Sequence, residues 1–360
     1  MWFSKNKPSA VNKLKTASLG AQYYVEQLKN IDSNGLQLSM TELVNYQSKT
    51  FLIDLSAKKN IHGQMSGNYL ARSKGSGMEF DEVRHYQTGD DIRAIDWRVT
   101  ARTGKTHTKL FREEVERPVL VATDIGKNMH FGSKLLFKSV QASHLASLVA
   151  WHAKSRGDRL GGIIFNEHEH VELKPRSRKE GVLHYLHALK RVHNNSYDSL
   201  SNPTNQAKEK PFEEKQRAQI HLEQNYPEQS YLEQNCARLR QLAKPGSLVY
   251  LITDGINIDT DNTLRHLTHI SRHCELVVCL VTDPLEQQLP DSNVKINVAI
   301  TDGSNDQQLT LGDKKTAQNY HQKALNLQQT RHQSLIETGA RVINISAGNT
   351  LASQLKKGEV

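Results

Sequence analysis

The chain has 360 residues, with 47 Lys+Arg against 38 Asp+Glu for a formal charge of +9, a length that suits two structural units rather than one or three. Counting glycine in place of tyrosine, the apolar share is roughly 40%, below the about 45–50% of ordinary globular chains, which predicts a packed core joined to some very polar sequence. No run approaches the roughly 18–20 apolar residues of a membrane span, the basic start MWFSKNKPSAVNKLK has no apolar signal core, and three cysteines (Cys236, Cys274, Cys279) exclude a disulfide framework or four-cysteine zinc site, so a cytoplasmic protein is expected.

In chain order, residues 1–35 read as an N-terminal tail and 36–117 as a small α+β unit. Within that unit Leu38–Leu55 reads as a helix capped by Ser39 or Thr41. Ser66-Gly67 and the run Ser73–Gly77 mark tight turns, and Met78–Tyr86 and Thr106–Val115 look extended. From 118 to 350 strands and helices alternate. The apolar run Pro118–Asp124 is followed by a helix from Ser133, its expected cap, to Ser155, apolar on more than one face. A strand at Leu160–Phe165 with a hairpin partner near Val171 leads to a short helix at Glu180–Lys190. After strand Ser247–Thr253 come a helix at Thr260–Arg272, strand Leu276–Val281, a polar hairpin over Val294–Leu311, a helix at Thr316–Thr338 and strand Arg341–Ile345.

Near-continuous apolar strands separated by helices predict an α/β fold, a doubly wound and mostly parallel sheet covered on both faces. Ligands are then expected beyond the C-terminal strand ends, where Asp124 and Asp254 stand. Asn194–Gln234, rich in Gln, Asn, Glu, Lys and Ser with prolines at 203, 211 and 227, reads as a polar mobile insertion.

The densest polar cluster joins Arg84, Tyr86, Gly89, Asp90, Asp91, Arg93, Asp96, Trp97, Arg98 and Arg102. Gly89 before two aspartates marks a turn. Arginines on carboxylates would fix its geometry, with Trp97 as apolar anchor; an acid/base or phosphate site is the alternative. The positive excess is thin, +5 over residues 1–117 and +4 over 118–360. It points to a solvated surface rather than a nucleic-acid footprint. His266, His269 and His273, and the pair His184/His187, sit at helical spacing without a carboxylate to complete a zinc site. No Walker loop, Gly-x-Ser-x-Gly elbow or His-Glu-x-x-His occurs.

The pattern Arg84-x-Tyr86-x-x-Gly89-Asp90-Asp91-x-Arg93-x-Ile95-Asp96-Trp97 with Ala101-Arg102 resembles the signature of the bacterial "domain of unknown function fifty-eight" family. Phe131-Gly132, Phe137-Lys138-Ser139-Val140, Gly157-Asp158-Arg159, Gly246-Ser247-Leu248 and Asp283-Pro284-Leu285-Glu286 match its later blocks. The resemblance implies a von Willebrand factor A-like domain behind a small N-terminal unit, and a MoxR-type AAA+ ATPase as partner. An A-type metal-ion-dependent adhesion site uses Asp-x-Ser-x-Ser, a threonine from a second loop and an aspartate after the fourth strand, since Mg²⁺ takes about six oxygens. Here the first motif reads Asp124-Ile125-Gly126-Lys127-Asn128. The candidate ligands are Asp124, Asn128, Ser177 and Asp254, a degenerate set that predicts at most weak Mg²⁺ binding and no certain cofactor. The expected function is a non-enzymatic protein-interaction module, an adaptor of the ATPase in chaperone-like remodelling or metal insertion. The alternatives are a metal-dependent phosphoester hydrolase and a nucleic-acid-binding protein.

Overall fold

The computed structural model describes residues 22–53, 78–113, 116–201, 230–290, 294–301 and 306–355. They belong to two units, one within His62–Arg117 and one formed by Met1–Ile61 with Pro118–Val360. The turns expected at Ser66–Gly67 and Ser73–Gly77 lie outside the described residues.

The smaller unit is an antiparallel pair, β1 (Met78–His85) and β2 (His107–Glu113), with a bulge between Phe80 and Glu82. The chain between them makes a 3-10 turn at Ile92–Ala94 and a helix at Trp97–Thr103. Asp96 caps that helix by accepting from the Arg98 and Val99 amides at 3.0 and 3.1 Å, and Gly104 ends it in the left-handed region that glycine tolerates.

The larger unit is built on a six-stranded sheet. Its strands are β3 (Pro118–Asp124), β4 (Arg159–Phe165), β5 (His170–Arg176), β6 (Leu248–Thr253), β7 (Glu275–Thr282) and β10 (Arg341–Ser346), in the order β10-β7-β6-β3-β4-β5. All are parallel except β5, which returns antiparallel on β4. β8 (Ile296–Thr301) and β9 (Asp306–Leu311) form a separate hairpin. The apolar runs serve two cores, one per face. Val119, Val121, Tyr250 and Ile252 pack under the helices Lys138–Ser155 and Arg178–Ser201. Leu120, Ala122, Val249 and Leu251 pack under Tyr231–Leu242, Asp261–His273 and Lys314–Glu337. This is an α/β unit with a mostly parallel sheet and helices on both faces, as a doubly wound fold requires.

Several expected boundaries move. Residues 22–53 are neither tail nor part of the smaller unit: Ile31, Leu38, Leu43, Tyr46, Leu52 and Ile53 are buried in the core of the sheet unit. Residues 22–30 are helical, and of the helix expected over Leu38–Leu55 only Met40–Asn45 is α-helical, opened by a Ser39/Glu42 capping box, while Tyr46–Leu52 tightens to a 3-10 helix. The segment covers the outer face of the Lys138–Ser155 helix. There Ser147 Oγ and Trp151 Nε1 donate to the Leu43 carbonyl at 2.6 and 3.0 Å, and the Asn194 amide bonds both backbone groups of Leu38. That cover explains why the helix is buried nearly all round, Ser143, His144 and Ser147 included. The helix itself begins at Lys138, not Ser133; the Ser133 amide instead donates to Asp283 at 2.8 Å.

The insertion also shrinks. The helix expected at Glu180–Lys190 runs over Arg178–Ser201, and Tyr231–Leu242 is a further helix, so Asn194–Ser201 and Tyr231–Gln234 belong to the fold. Residues 202–229 lie outside the described residues.

Candidate functional site

Successive connections leave β3 in opposite directions, so the topological switch point falls between β3 and β6. Asp124 ends β3 and Asp254 follows β6, which brings two carboxylates to that edge.

Asp124 is buried and fully engaged. Its Oδ1 accepts from the Gly126 amide at 2.9 Å, its Oδ2 accepts from Thr253 Oγ1 at 2.7 Å, and the Tyr231 hydroxyl lies 3.3 Å from both oxygens. Burial first, then the Asp254 charge, pushes the Asp124 carboxyl up to about 7, against the pull of Thr253 and Gly126. Burial and the same carboxylates raise the Tyr231 phenol, which keeps its proton and serves as a donor. A Cβ on Gly126 would stand 2.6 Å from the Tyr231 hydroxyl oxygen and 3.0 Å from Glu167 Oε1. The space an adhesion-site serine would use is therefore filled. The Lys127 amide donates to both Glu167 oxygens, at 2.9 and 3.1 Å, so the β4–β5 turn fixes this loop as well.

Asp254 is held by a different group. Its Oδ1 accepts from the Ile256 amide at 3.0 Å, and its Oδ2 lies 3.2 Å from the Lys138 ammonium. Lys138 is 1% exposed and reaches Glu286 Oε1 at 2.7 Å. Burial alone would lower the lysine's proton affinity, but Asp254 and Glu286 outweigh it and the ammonium titrates above its ordinary value. Glu286 in turn accepts from the Asp283 amide at 2.9 Å, and Asp283 caps the short helix Pro284–Gln287 through Leu285 at 2.8 Å. The Asp283–Glu286 motif is thus a capping box that presents a carboxylate to Lys138.

Of the sequence candidates, Asp124 and Asp254 meet at one edge and Ser177 does not. Arg176 registers with Leu160 at the start of β4, while Asp124 registers with Phe165 at its end. The antiparallel return of β5 carries Ser177 about 17 Å along the strand, to the opposite edge of the sheet. Asn128 sits in the 3-10 turn Lys127–Met129 beside the site. The cation against the acidic pair is Lys138, not Lys127, whose side chain is exposed. Among the described residues no group of three or more His, Cys, Asp or Glu is arranged to hold a metal ion. Lys138, Tyr231, Thr253 and Glu286 were missed as site residues. The blocks Phe137–Val140 and Asp283–Glu286, quoted above for the family resemblance, held Lys138 and Glu286 and were the available signal for those two.

In the smaller unit the Gly89 turn is held by its own side chains. Arg84 Nη2 lies 2.7 Å from Asp90 Oδ1, and the Gln87 amide donates to the other oxygen at 2.9 Å. The Gln87 amide, with Arg84, holds the Asp90 carboxyl below its ordinary value. Gly89 takes φ +109, and Tyr86 bonds Thr106 through its backbone amide at 2.9 Å. Asp91 caps the 3-10 turn through the Arg93 amide. Asp96 is kept ionised first by the Val99 amide, and its ion pair is with Lys109 at 3.8 Å. Arg93 and Arg102 do not join these carboxylates, and Trp97, the first residue of the helix that Asp96 caps, is 67% exposed rather than an anchor. Asp96→Ala is expected to speed amide hydrogen exchange at Arg98 and Val99, with Asp96→Asn retaining most of the protection.

The family model described as "Protein of unknown function DUF58" matches residues 82–331. The uncharacterized protein Rv1480 of Mycobacterium tuberculosis and the uncharacterized protein Mb1516 of Mycobacterium bovis are each 32% identical over 114 residues, 32% of this chain and 36% of theirs. The chain thus spans about a third of the length of the curated relatives it matches. Among solved structures, the conserved hypothetical protein BatB from Bacteroides thetaiotaomicron aligns at TM-score 0.39 and 13% identity, over 66% of this chain and 93% of its own. An aerotolerance-related membrane protein from Bacteroides fragilis aligns at 0.33 and 14%, over 66% and 96%. No helix among the described residues is long and apolar enough to cross a membrane.

Proposed function

The chain belongs to the DUF58 family, whose function is unknown, and from that premise we propose that it is a non-enzymatic protein-interaction module whose strand-end loops are set by internal hydrogen bonds and one buried ammonium instead of a divalent cation. The observation that carries this reading is Lys138, placed between Asp254 and Glu286. A fixed cation of the protein's own stands against the acidic pair at the edge where an adhesion-type domain would recruit Mg²⁺.

The donor set does not fit the metal. Mg²⁺ requires near-octahedral oxygens, yet Gly126 offers no side-chain oxygen and Ser177 is at the wrong edge. Asp124 already accepts from Thr253, Gly126 and Tyr231. The von Willebrand factor A type and the MoxR-type ATPase partner are taken from the family resemblance, the cytoplasmic location from the composition, and all three form part of the proposal. The module would dock through loop shape and direct polar contacts, as an adaptor in chaperone-like remodelling or metal insertion.

Calorimetric titration with Mg²⁺ is expected to give no saturable binding tighter than about millimolar. Gly126→Ser with Asn128→Ser is expected to lower the melting temperature without creating a metal site, because the new Cβ meets Tyr231. A purified MoxR-type ATPase, nucleotide-free, should bind equally with and without EDTA. Micromolar Mg²⁺ binding abolished by Asp254→Asn, or EDTA-sensitive complex formation, would overturn the reading.

A further inference from the structure

Beside the Lys138 site, a cleft of about 240 Å³ opens beyond the C-terminal ends of β6, β7 and β10. Its polar floor is Lys138, Asp254, Glu286, Arg331 and Asn344, and Ile256 and Leu327, 37% and 48% exposed, stand at it as apolar side chains. We propose that this cleft binds a carboxylate, received by the Arg331 guanidinium, and that the carboxylate belongs to a Glu or Asp side chain of a protein partner. The second half of that statement rests on the interaction-module reading; the first does not.

The hydrogen-bond inventory selects the ligand. Every carboxylate oxygen of the floor is occupied: Asp254 by the Ile256 amide and Lys138, Glu286 by Lys138 and the Asp283 amide. Unused donors remain. Arg331 Nε is buried and has no hydrogen-bond partner, and no ion pair among the described residues involves this guanidinium. Lys138 directs two of its three N–H groups at carboxylates and keeps one in reserve. A site whose carboxylates are saturated and whose two cations keep donors spare takes an anionic acceptor, and a guanidinium fork suits a carboxylate.

Charge and size narrow the choice. Two cations and two carboxylates leave the floor neutral, which tolerates one added negative charge better than the two of a phosphate monoester. The volume lies below the range of about 300–1,000 Å³ usual for drug-sized ligands and suits a single side chain. Ile256 and Leu327 would flank its methylene stem.

The test uses the full chain and the NMR signal of the Arg331 Nε–H group, assigned by its loss in Arg331→Lys. Propionate, succinate, inorganic phosphate, and peptides carrying one glutamate or one glutamine between apolar residues are titrated at matched ionic strength. Expected is a saturable shift with propionate at millimolar concentration, about tenfold tighter with the glutamate peptide, and absent with the glutamine peptide. In the two Arg331 variants, which lack that signal, binding is read from the backbone amide of Ile256 at the cleft: Arg331→Gln should abolish it, and Arg331→Lys, which keeps the charge without the fork, should weaken it severalfold. Succinate binding tighter than the glutamate peptide would overturn the protein side chain as the source while upholding the carboxylate site. Phosphate binding tighter than propionate, or no saturable shift with any carboxylate, would overturn the site. EDTA-insensitive binding of the ATPase alongside that last result would leave the module reading standing, so the two failures are distinguishable.

Discussion

Lys138→Met is expected to destabilise the sheet unit by about 3–5 kcal/mol, the usual cost of removing one partner of a buried ion pair. Methionine approximates the shape of the stem, so the loss falls on the charge. Asp254 would keep its Ile256 contact but lose its cation while 3% exposed at the side chain. Glu286, 38% exposed at its side chain, can turn toward water and contributes little to the loss. Asp254→Asn added to Lys138→Met should recover much of the stability, since the amide carries no charge to strand. Chemical denaturation of the parent, both single variants and the double variant gives the coupling directly. A Lys138→Met variant within about 0.5 kcal/mol of the parent would show that the ammonium does not hold this edge together.

The second large effect concerns pH. Asp124 titrates near 7 in the fold and near its ordinary value when unfolded, so between about 4 and 7 the native state holds a proton that the unfolded chain has lost. Stability therefore falls as pH rises through that window, and the penalty is complete above about 7. Three pH units correspond to about 4 kcal/mol. Asp124→Asn removes the titration. The variant should gain on the parent from about pH 4 upward and level off above about 7, by up to about 3 kcal/mol once the added amide donor is accommodated. The buried His130 and His193 imidazoles, pushed down to about 4 and about 3 chiefly by burial, act with the opposite sign but equally in both proteins. The difference between variant and parent isolates the carboxyl. A difference independent of pH would mean that Asp124 is ionised throughout.

Local sequence carries part of the fold, and particular residues show how. Apolar runs such as Val119–Ala122 and Leu248–Ile252 identify strands buried on both faces, because they are too short for a buried helix and rich in β-branched residues. Aspartates at the ends of two such runs mark a polar edge by their position in the chain alone. The Gly89 turn was legible as a turn for the same local reason: glycine before aspartates serves positive φ and caps.

What that edge is made of was settled by tertiary structure alone. Lys138 lies 116 residues from Asp254 and 148 from Glu286, and Tyr231 lies 107 from Asp124. No spacing rule links them, since a helix or strand pattern reports only which face a residue is on. The antiparallel return of β5 likewise removed Ser177 from the site, and strand direction is set by pairing rather than by composition. Residues 22–53 joined the sheet unit because the Lys138–Ser155 helix is apolar on a face that the sheet does not cover. The sequence by itself determined the strands, the sheet class and the edge carrying Asp124 and Asp254. The fold decided which side chains meet there, because contacts between residues far apart in the chain are made by packing and have no local signature.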